Sequence, residues 1–216
     1  MSNKTSAIVS FSLIAIAFLV GVILYAQLPD PMPAHWNAAG EIDGYMSKFW
    51  GIFLMPVITI ALVPLFLVIP NIDPLKANIA KFRGVFNWFI VIFVAYMLFI
   101  YALTLAAALG VQFNMTAMLL PVVGLLFIGA GYMMSKAKRN FFIGIRTPWT
   151  LSSDRVWNET HRLGSTLFIA CGVLAILGSF FGGMAAFWLM LVPLIVSSVF
   201  LVVYSYVLYR RETKGQ

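Results

Sequence analysis

KAKRNFFIGIRTPWTLSSDRVWNETHRLG, residues 136–164, is a polar, Trp-bearing segment held between two long apolar runs. It contains eight of the Asp, Glu, Lys and Arg residues of a 216-residue chain that has 14 basic and 7 acidic residues in all. The rest of the chain is largely apolar: 62% of residues are hydrophobic and 10% charged, with a mean hydropathy of +0.97. A soluble domain has about 25% charged residues. So much apolar surface cannot be hidden in one water-soluble core of this size, and a lipid bilayer is the solvent that fits. The net charge of +7 is then a statement about orientation and lipid headgroups, not about nucleic acid. Cys171 is the single cysteine, so neither an intramolecular disulfide nor a Cys-rich metal site is available.

Within the stretch, Lys136, Lys138 and Arg139 read as a stop signal after a membrane span. The run from Asn140 to Thr150 carries Phe141, Phe142, Ile143, Ile145 and Trp149, which do not suit a solvated loop. It is expected to re-enter the membrane surface or to pack under the bundle. Gly144 permits a turn or a close backbone approach, and Pro148 forces Thr147 into an extended conformation. Arg146, one charge amid apolar residues, is expected to reach a carboxylate or helix-end carbonyls, with Trp149 and Trp157 nearby. Ser152 or Ser153 then caps a short helix with Asp154 in its first turn. On that helix Arg155 and Glu159, and Glu159 and Arg162, are spaced to pair. Trp157, His161 and Gly164 share another face. The helix is expected to be amphipathic and to lie at the inner membrane surface.

Outward from this stretch the chain divides into six apolar spans: 7–28, 50–69, 86–109, 115–134, 166–181 and 187–208. The first is too long for a signal-peptide core, lacks a clear cleavage pattern, and reads as a retained span. Between spans one and two, Pro29 to Lys48 (PDPMPAHWNAAGEIDGYMSK) is a proline-broken polar loop. In it Trp36 and Tyr45 suit the headgroup level. Pro56 and Pro64 would kink span two unless neighbours satisfy the freed carbonyls. If the N-terminus is cytoplasmic, every Lys and Arg except Lys48 falls inside. The expectation is therefore an all-α integral membrane protein of the plasma membrane, with six transmembrane helices and both termini inside. It divides into an N-terminal two-helix unit, residues 1–70, and a four-helix unit, residues 71–216.

The apolar part of each span lacks ionisable side chains, which counts against a proton-coupled transporter or a pump. Hydroxyls such as Thr104, Ser197 and Ser198 suit interhelical hydrogen bonds better than a channel lining. Gly178 and Gly182 are spaced for helix packing or for a turn. His35 and His161 lie in different compartments and cannot share a metal. His35 with Asp30, Glu41 and Asp43 fits no zinc spacing. With no nucleophile–base pairing, P-loop or dinucleotide fingerprint, neither enzymatic activity nor a cofactor is expected.

Two motifs carry a resemblance. Asn140 to Ser152 (NFFIGIRTPWTLS), with Val156, Trp157 and Thr160 to Gly164, resembles the signature of the SdpI family of bacterial and archaeal membrane proteins. Leu28 to Asn37 (LPDPMPAHWN), with Gly40, Asp43 and Gly44, is similar to that family's short N-terminal domain of unknown function. The resemblance implies six spans, a non-enzymatic role, and protection against a secreted membrane-active toxin peptide. It also implies possible partners: the peptide outside, and a cytoplasmic repressor sequestered at the membrane. On this reading the outer contact is formed by Asp30, Pro31, His35, Trp36, Asn37 and Asp43. The cytoplasmic motif comprises Asn140, Gly144, Arg146, Thr147, Pro148, Trp149, Ser152, Trp157, His161 and Arg162, and acts as an inner brace, gate or signalling platform. A small transporter or channel, or a membrane receptor for a repressor, are the competing readings.

Overall fold

The computed structural model describes residues 1–214; Gly215 and Gln216, the close of the basic C-terminal tail, lie outside the described residues. Six helices are long and apolar enough to cross a bilayer: α1 (Asn3–Leu24), α2 (Lys48–Ile72), α4 (Arg83–Ala108), α5 (Met115–Lys136), α7 (Asp154–Gly178) and α8 (Gly183–Lys214). Two one-turn helices, α3 (Lys76–Ala80) and α6 (Pro148–Ser152), sit in the connections after α2 and α5. The molecule is a multi-pass, all-α membrane protein, with one small exception. The proline-rich loop between α1 and α2 forms an antiparallel hairpin, β1 (Met32–Trp36) and β2 (Ile42–Met46). His35, Asp43 and Tyr45 are exposed while Met32 is fully buried, and the ladder shifts register around His35.

Large apolar side chains such as Ile16, Leu19, Val22, Val196 and Val199 are more than half exposed. In a bilayer these are the lipid-facing surface, while the buried positions of α1, apart from Ile14, are small: Ser6, Ser10, Ala17 and Gly21. Pro56, Pro64 and Pro70 all lie inside α2 without ending it. The hydroxyl of Thr59 donates to Met55 O at 2.7 Å, a local adjustment beside Pro56.

The helices pack in two groups. In one, α1, α2 and α4 meet around Ile14, Val63 and Val94 at mid-depth, and around Leu28, Met32, Ile52 and Tyr101 beneath the hairpin. In the other, α5, α7 and α8 pack together, with α7 central. There the α5 and α7 backbones touch. A Cβ at Gly124 would stand 2.5 Å from Gly172 O, and one at Gly172 would meet Gly124 O just as closely. A third contact sets Gly131 against Ser165 O, with a Cβ distance of 2.8 Å. The packing glycines of the α5–α7 pair are therefore these. Gly178 faces α8 in ordinary contact with Leu189, and Gly182, with φ +69, serves the turn. Two of the three hydroxyls expected between helices bond within their own: Thr104 to Ile100 O and Ser198 to Leu194 O. Only Ser197 reaches across, to Cys171 Sγ at 3.6 Å.

One end of the bundle gathers the N-terminus, α3, the 137–153 connection and the end of α8, with every Lys and Arg except Lys48. The other end carries the hairpin and the turns at Gly110 and Gly182–Gly183. Gly172→Leu is expected to destabilise the bundle by about 3 kcal/mol or more, since neither backbone can give way. Thermal unfolding in detergent reads this, and Gly110→Ala, whose Cβ meets nothing within 4 Å and whose φ of +87 alone costs about 1 kcal/mol, serves as the comparison at an open turn. A loss at position 172 no larger than at 110 would contradict the close packing.

Candidate functional site

The 137–153 connection at the basic end is folded, and one side chain organises it. Asn140 is fully buried. Its carbonyl oxygen accepts from Phe142 N (2.9 Å) and Ile143 N (2.6 Å), and its amide donates to Lys138 O (2.8 Å) and Ile143 O (2.9 Å). All the hydrogen-bonding capacity of one amide is thus spent on a tight local turn. Asp73, buried at the end of α2, accepts from Phe141 N (2.8 Å) and from Leu75 N (2.6 Å). One carboxylate therefore joins the loop to the start of α3, and Asn78 of α3 adds a bond to Arg139 O at 2.9 Å.

From the other side, α7 receives the loop. Trp157 is fully buried and its indole N–H donates to Ala137 O at 3.1 Å. His161 stacks on Trp157, ring centroids 3.9 Å apart and planes 16° from parallel. Its Nε2 accepts from Ile145 N–H at 3.0 Å, so the proton belongs on Nδ1, which donates to Trp157 O at 2.9 Å. Both ring nitrogens are committed to backbone groups, and the neutral imidazole is the form that satisfies them. His161 thus ties the backbone of the loop to that of α7. Gly144 is tied to the same ring: it has φ +111, and a Cβ there would overlap His161 Nε2. Thr147 and Thr150 form a reciprocal capping box at the start of α6, with Pro148 at its first turn. The Thr147 hydroxyl also lies 3.0 Å from Ser205 Oγ on α8.

Two expectations are corrected. Arg146 reaches neither a carboxylate nor a helix end. It is exposed, and its Nη1 donates to the loop carbonyl of Phe141 at 3.0 Å. That role falls to Arg139, whose Nε lies 2.8 Å from Asp154 Oδ1 and whose Nη1 donates to Leu151 O in α6 at 3.0 Å. Arg139 lies three residues past the end of α5, its carbonyl held by Asn78 of α3, whereas Arg146 is exposed further along the loop. Trp157 packs at the core and Trp149 packs on Tyr206 of α8, so the tryptophans do hold the loop, without Arg146 between them. The second correction concerns the expected short amphipathic helix. Ser153 caps it as anticipated, its hydroxyl accepting from Val156 N at 3.2 Å, but the helix runs unbroken from Asp154 to Gly178. Gly164, the only breaker before the apolar run, is buried against Ile145 and Leu201 and does not interrupt it. Of the side-chain pairs expected here, Glu159–Arg162 forms, at 2.6 Å. Ser152 caps its own short helix, donating to Pro148 O. Beside His161 a cleft of about 400 Å³ opens, edged by Lys138, Asn158, Arg162 and Ser165.

At the opposite end the hairpin is equally built. Asp30 Oδ1 accepts from Lys48 N at 3.1 Å, capping the start of α2, and Pro31 is exposed beside it. His35 Nδ1 and Asp43 Oδ1 pair across the strands at 2.5 Å, both exposed. Asn37 closes the tip through Glu41, accepting from its N–H at 3.0 Å and donating to its carboxylate at 3.1 Å. The tip docks on the α4–α5 turn: Asn114 donates to Ala39 O at 2.6 Å and Thr116 to Ala38 O at 3.2 Å. Asn114 also caps α5, a double duty that nothing in the sequence pattern marks. Trp36 and Asn37 edge an apolar cleft of about 220 Å³ that continues between Leu119, Val123, Phe187 and Met190. Among the described residues no group of three His, Cys, Asp or Glu side chains is placed to hold a metal ion.

Comparison with known proteins divides the chain where these two motifs lie. Residues 12–60 match the family described as a domain of unknown function, DUF1648, and residues 136–205 match the SdpI/YfhL protein family. Over 204 residues the chain is 28% identical to the protein called Immunity protein SdpI of Bacillus subtilis (strain 168), covering 94% of this chain and 96% of that relative. No solved structure matches.

Asn140→Ala is expected to cost about 2–4 kcal/mol, because it strands buried backbone groups that water cannot reach. Arg146→Ala should change stability by about 0.5 kcal/mol or less, as an exposed side chain. Thermal melts of both variants, side by side, decide between Asn140 and Arg146 as the organiser; equal losses would refute the assignment.

Proposed function

For a chain that belongs to the SdpI family, we propose the role carried by its relative's name: an integral membrane immunity protein, acting without catalysis, that protects the cell from a secreted membrane-active peptide. The observation that carries this reading is the similarity to Immunity protein SdpI, which spans nearly the whole of both chains and includes both end structures. In this reading the basic end faces the cytoplasm, following the segregation of Lys and Arg. The hairpin then meets the peptide at the outer surface. The apolar cleft at Trp36 suits such a ligand, since it offers a greasy slot between α5 and α8 at the level where the peptide enters the membrane. Transport is the weaker reading. In the six long helices, every ionisable residue except Tyr and the lone Cys171 lies toward an end, leaving mid-depth without a charge relay.

Expression of the full chain in a strain sensitive to a sporulation-delaying peptide is expected to raise survival. Trp36→Ala should abolish that gain while the protein still reaches the membrane at normal levels. Full protection by Trp36→Ala would remove the cleft from the reading, and no protection by the parent chain would remove the immunity role.

The orientation is tested separately. Cys171 is buried and should stay silent, so a Tyr45→Cys variant should react with a membrane-impermeant maleimide on intact cells. Ser152→Cys should react only after lysis; the reverse pattern would invert the topology.

A second reading, coupling to a cytoplasmic repressor, is favoured by one feature: the cleft beside His161, whose rim presents the exposed Lys138 and Arg162. Capture of a repressor from native membranes by the parent chain, lost with Lys138→Glu and Arg162→Glu, would support it. No capture by the parent chain would leave immunity alone.

A further inference from the structure

The two helix groups meet along α4 and α5, and this seam is open at the basic end. A groove of about 540 Å³ lies there between the two helices. Its deep end is lined by Ile92 and Gly129 and its walls by Trp88 and Tyr132, both more than half exposed. At 1.5 Å per residue, Ile92 lies about 14 Å along α4 from Arg83. That matches the roughly 15 Å hydrocarbon depth of a single leaflet, half of a bilayer's core. Gly129 leaves the floor empty: a Cβ there would find its nearest neighbour, Ile92 Cδ1, at 4.0 Å.

The mouth of the groove is cationic. Lys81 lines it, and Lys136 stands over the ring of Tyr132, 5.6 Å from its centroid. Lys81 donates to Asn78 Oδ1 at 3.2 Å, which leaves it further donors. Every carboxylate at this end is otherwise engaged: Asp73 with loop amides, Asp154 with Arg139, Glu159 with Arg162 and Glu212 with Ser153. Among the described residues neither lysine has an acidic partner. We propose that this groove is a binding site for an anionic glycerophospholipid, with the phosphate held between Lys81 and Lys136 and an acyl chain laid along Trp88 to the floor at Gly129. An apolar slot one leaflet deep with two ammonium groups near its mouth that lack an acidic partner matches both parts of such a lipid, and basic pockets between spanning helices on the positive side are where anionic headgroups are retained. The site is independent of the immunity reading and of the hairpin.

The test uses the full chain purified in detergent, with phosphatidylglycerol and phosphatidylcholine of the same acyl chains as probes in native mass spectrometry. The parent protein is expected to retain phosphatidylglycerol in preference to phosphatidylcholine. Lys81→Gln and Lys136→Gln, both surface changes, should each weaken phosphatidylglycerol retention by about fivefold while leaving phosphatidylcholine unchanged. Gly129→Leu, filling the floor, should reduce retention of both lipids. Thermal melts confirm that each variant is folded. Equal retention of the two lipids by the parent chain overturns the proposal, as does unchanged retention in a folded Gly129→Leu variant. A lipid-free dimer that Gly129→Leu dissociates also overturns it, assigning the groove to a second copy of the chain.

Discussion

A loop tucked beneath a helical bundle cannot leave its backbone amides unpaired, and at the basic end of this protein that demand decides which side chains matter. Asn140 turns the chain by bonding four backbone groups. Asp73 takes the Phe141 amide, Trp157 gives its indole proton to Ala137, and His161 accepts from Ile145. Each comes from a different place in the chain: the loop itself, the end of α2, and two positions one turn apart on α7. The loop is therefore a polar lock joining α2, α5 and α7, alongside single cross-helix bonds elsewhere such as Tyr101 to Ala17 O and Arg83 to Leu67 O. Thr147 on Ser205 and Ser153 on Glu212 extend the lock to α8.

The hairpin end follows the same logic with lighter means. Its tip carbonyls are taken by Asn114 and Thr116, and Met32 is pressed onto Gly51 of α2, where a Cβ would stand 2.9 Å away. Between the two ends the helices supply distance and rigidity. The α5–α7 pair is in close backbone contact at Gly124 and Gly172. The α4–α5 seam is looser and opens into a groove at the basic end. A protein built this way presents a fixed polar structure on each membrane face with an apolar seam running between them. That suits recognition of something that itself lives at the membrane, and it suits lipid along the seam.

The residues that hold these structures differ from the residues that advertise themselves. Arg146 is conspicuous in sequence because it is a charge among apolar neighbours, yet it points outward. Arg139 hides among the basic residues of a stop signal, yet it pairs with Asp154 and α6. A charge count cannot tell the two apart, because the distinction lies in the direction each Cβ leaves the backbone. Gly124 and Gly172 are likewise silent in a pattern search, being 48 positions apart and on separate helices, whereas Gly178 and Gly182 form a motif and yet serve a helix end.

Hydropathy by itself determined the membrane class, the six spans and their alternation, because a bilayer excludes charge over a length that about twenty residues must cover. The distribution of Lys and Arg determined which loops share an end, and the Ser152–Ser153 pair ahead of Asp154 marked a helix start through local capping chemistry alone. The two motifs determined the family. What only the tertiary structure decided was everything that depends on two distant segments meeting: the pairing of Asn114 with the hairpin tip, of Asp73 with Phe141, of His161 with Ile145 and Gly144, and the contact of α5 with α7. The hairpin itself also belongs there, since its strands are pinned by burial of Met32 against α2 and not by any strand propensity in a proline-rich segment. Local sequence carries local energies; these contacts exist only once the folded bundle brings distant segments within reach of one another.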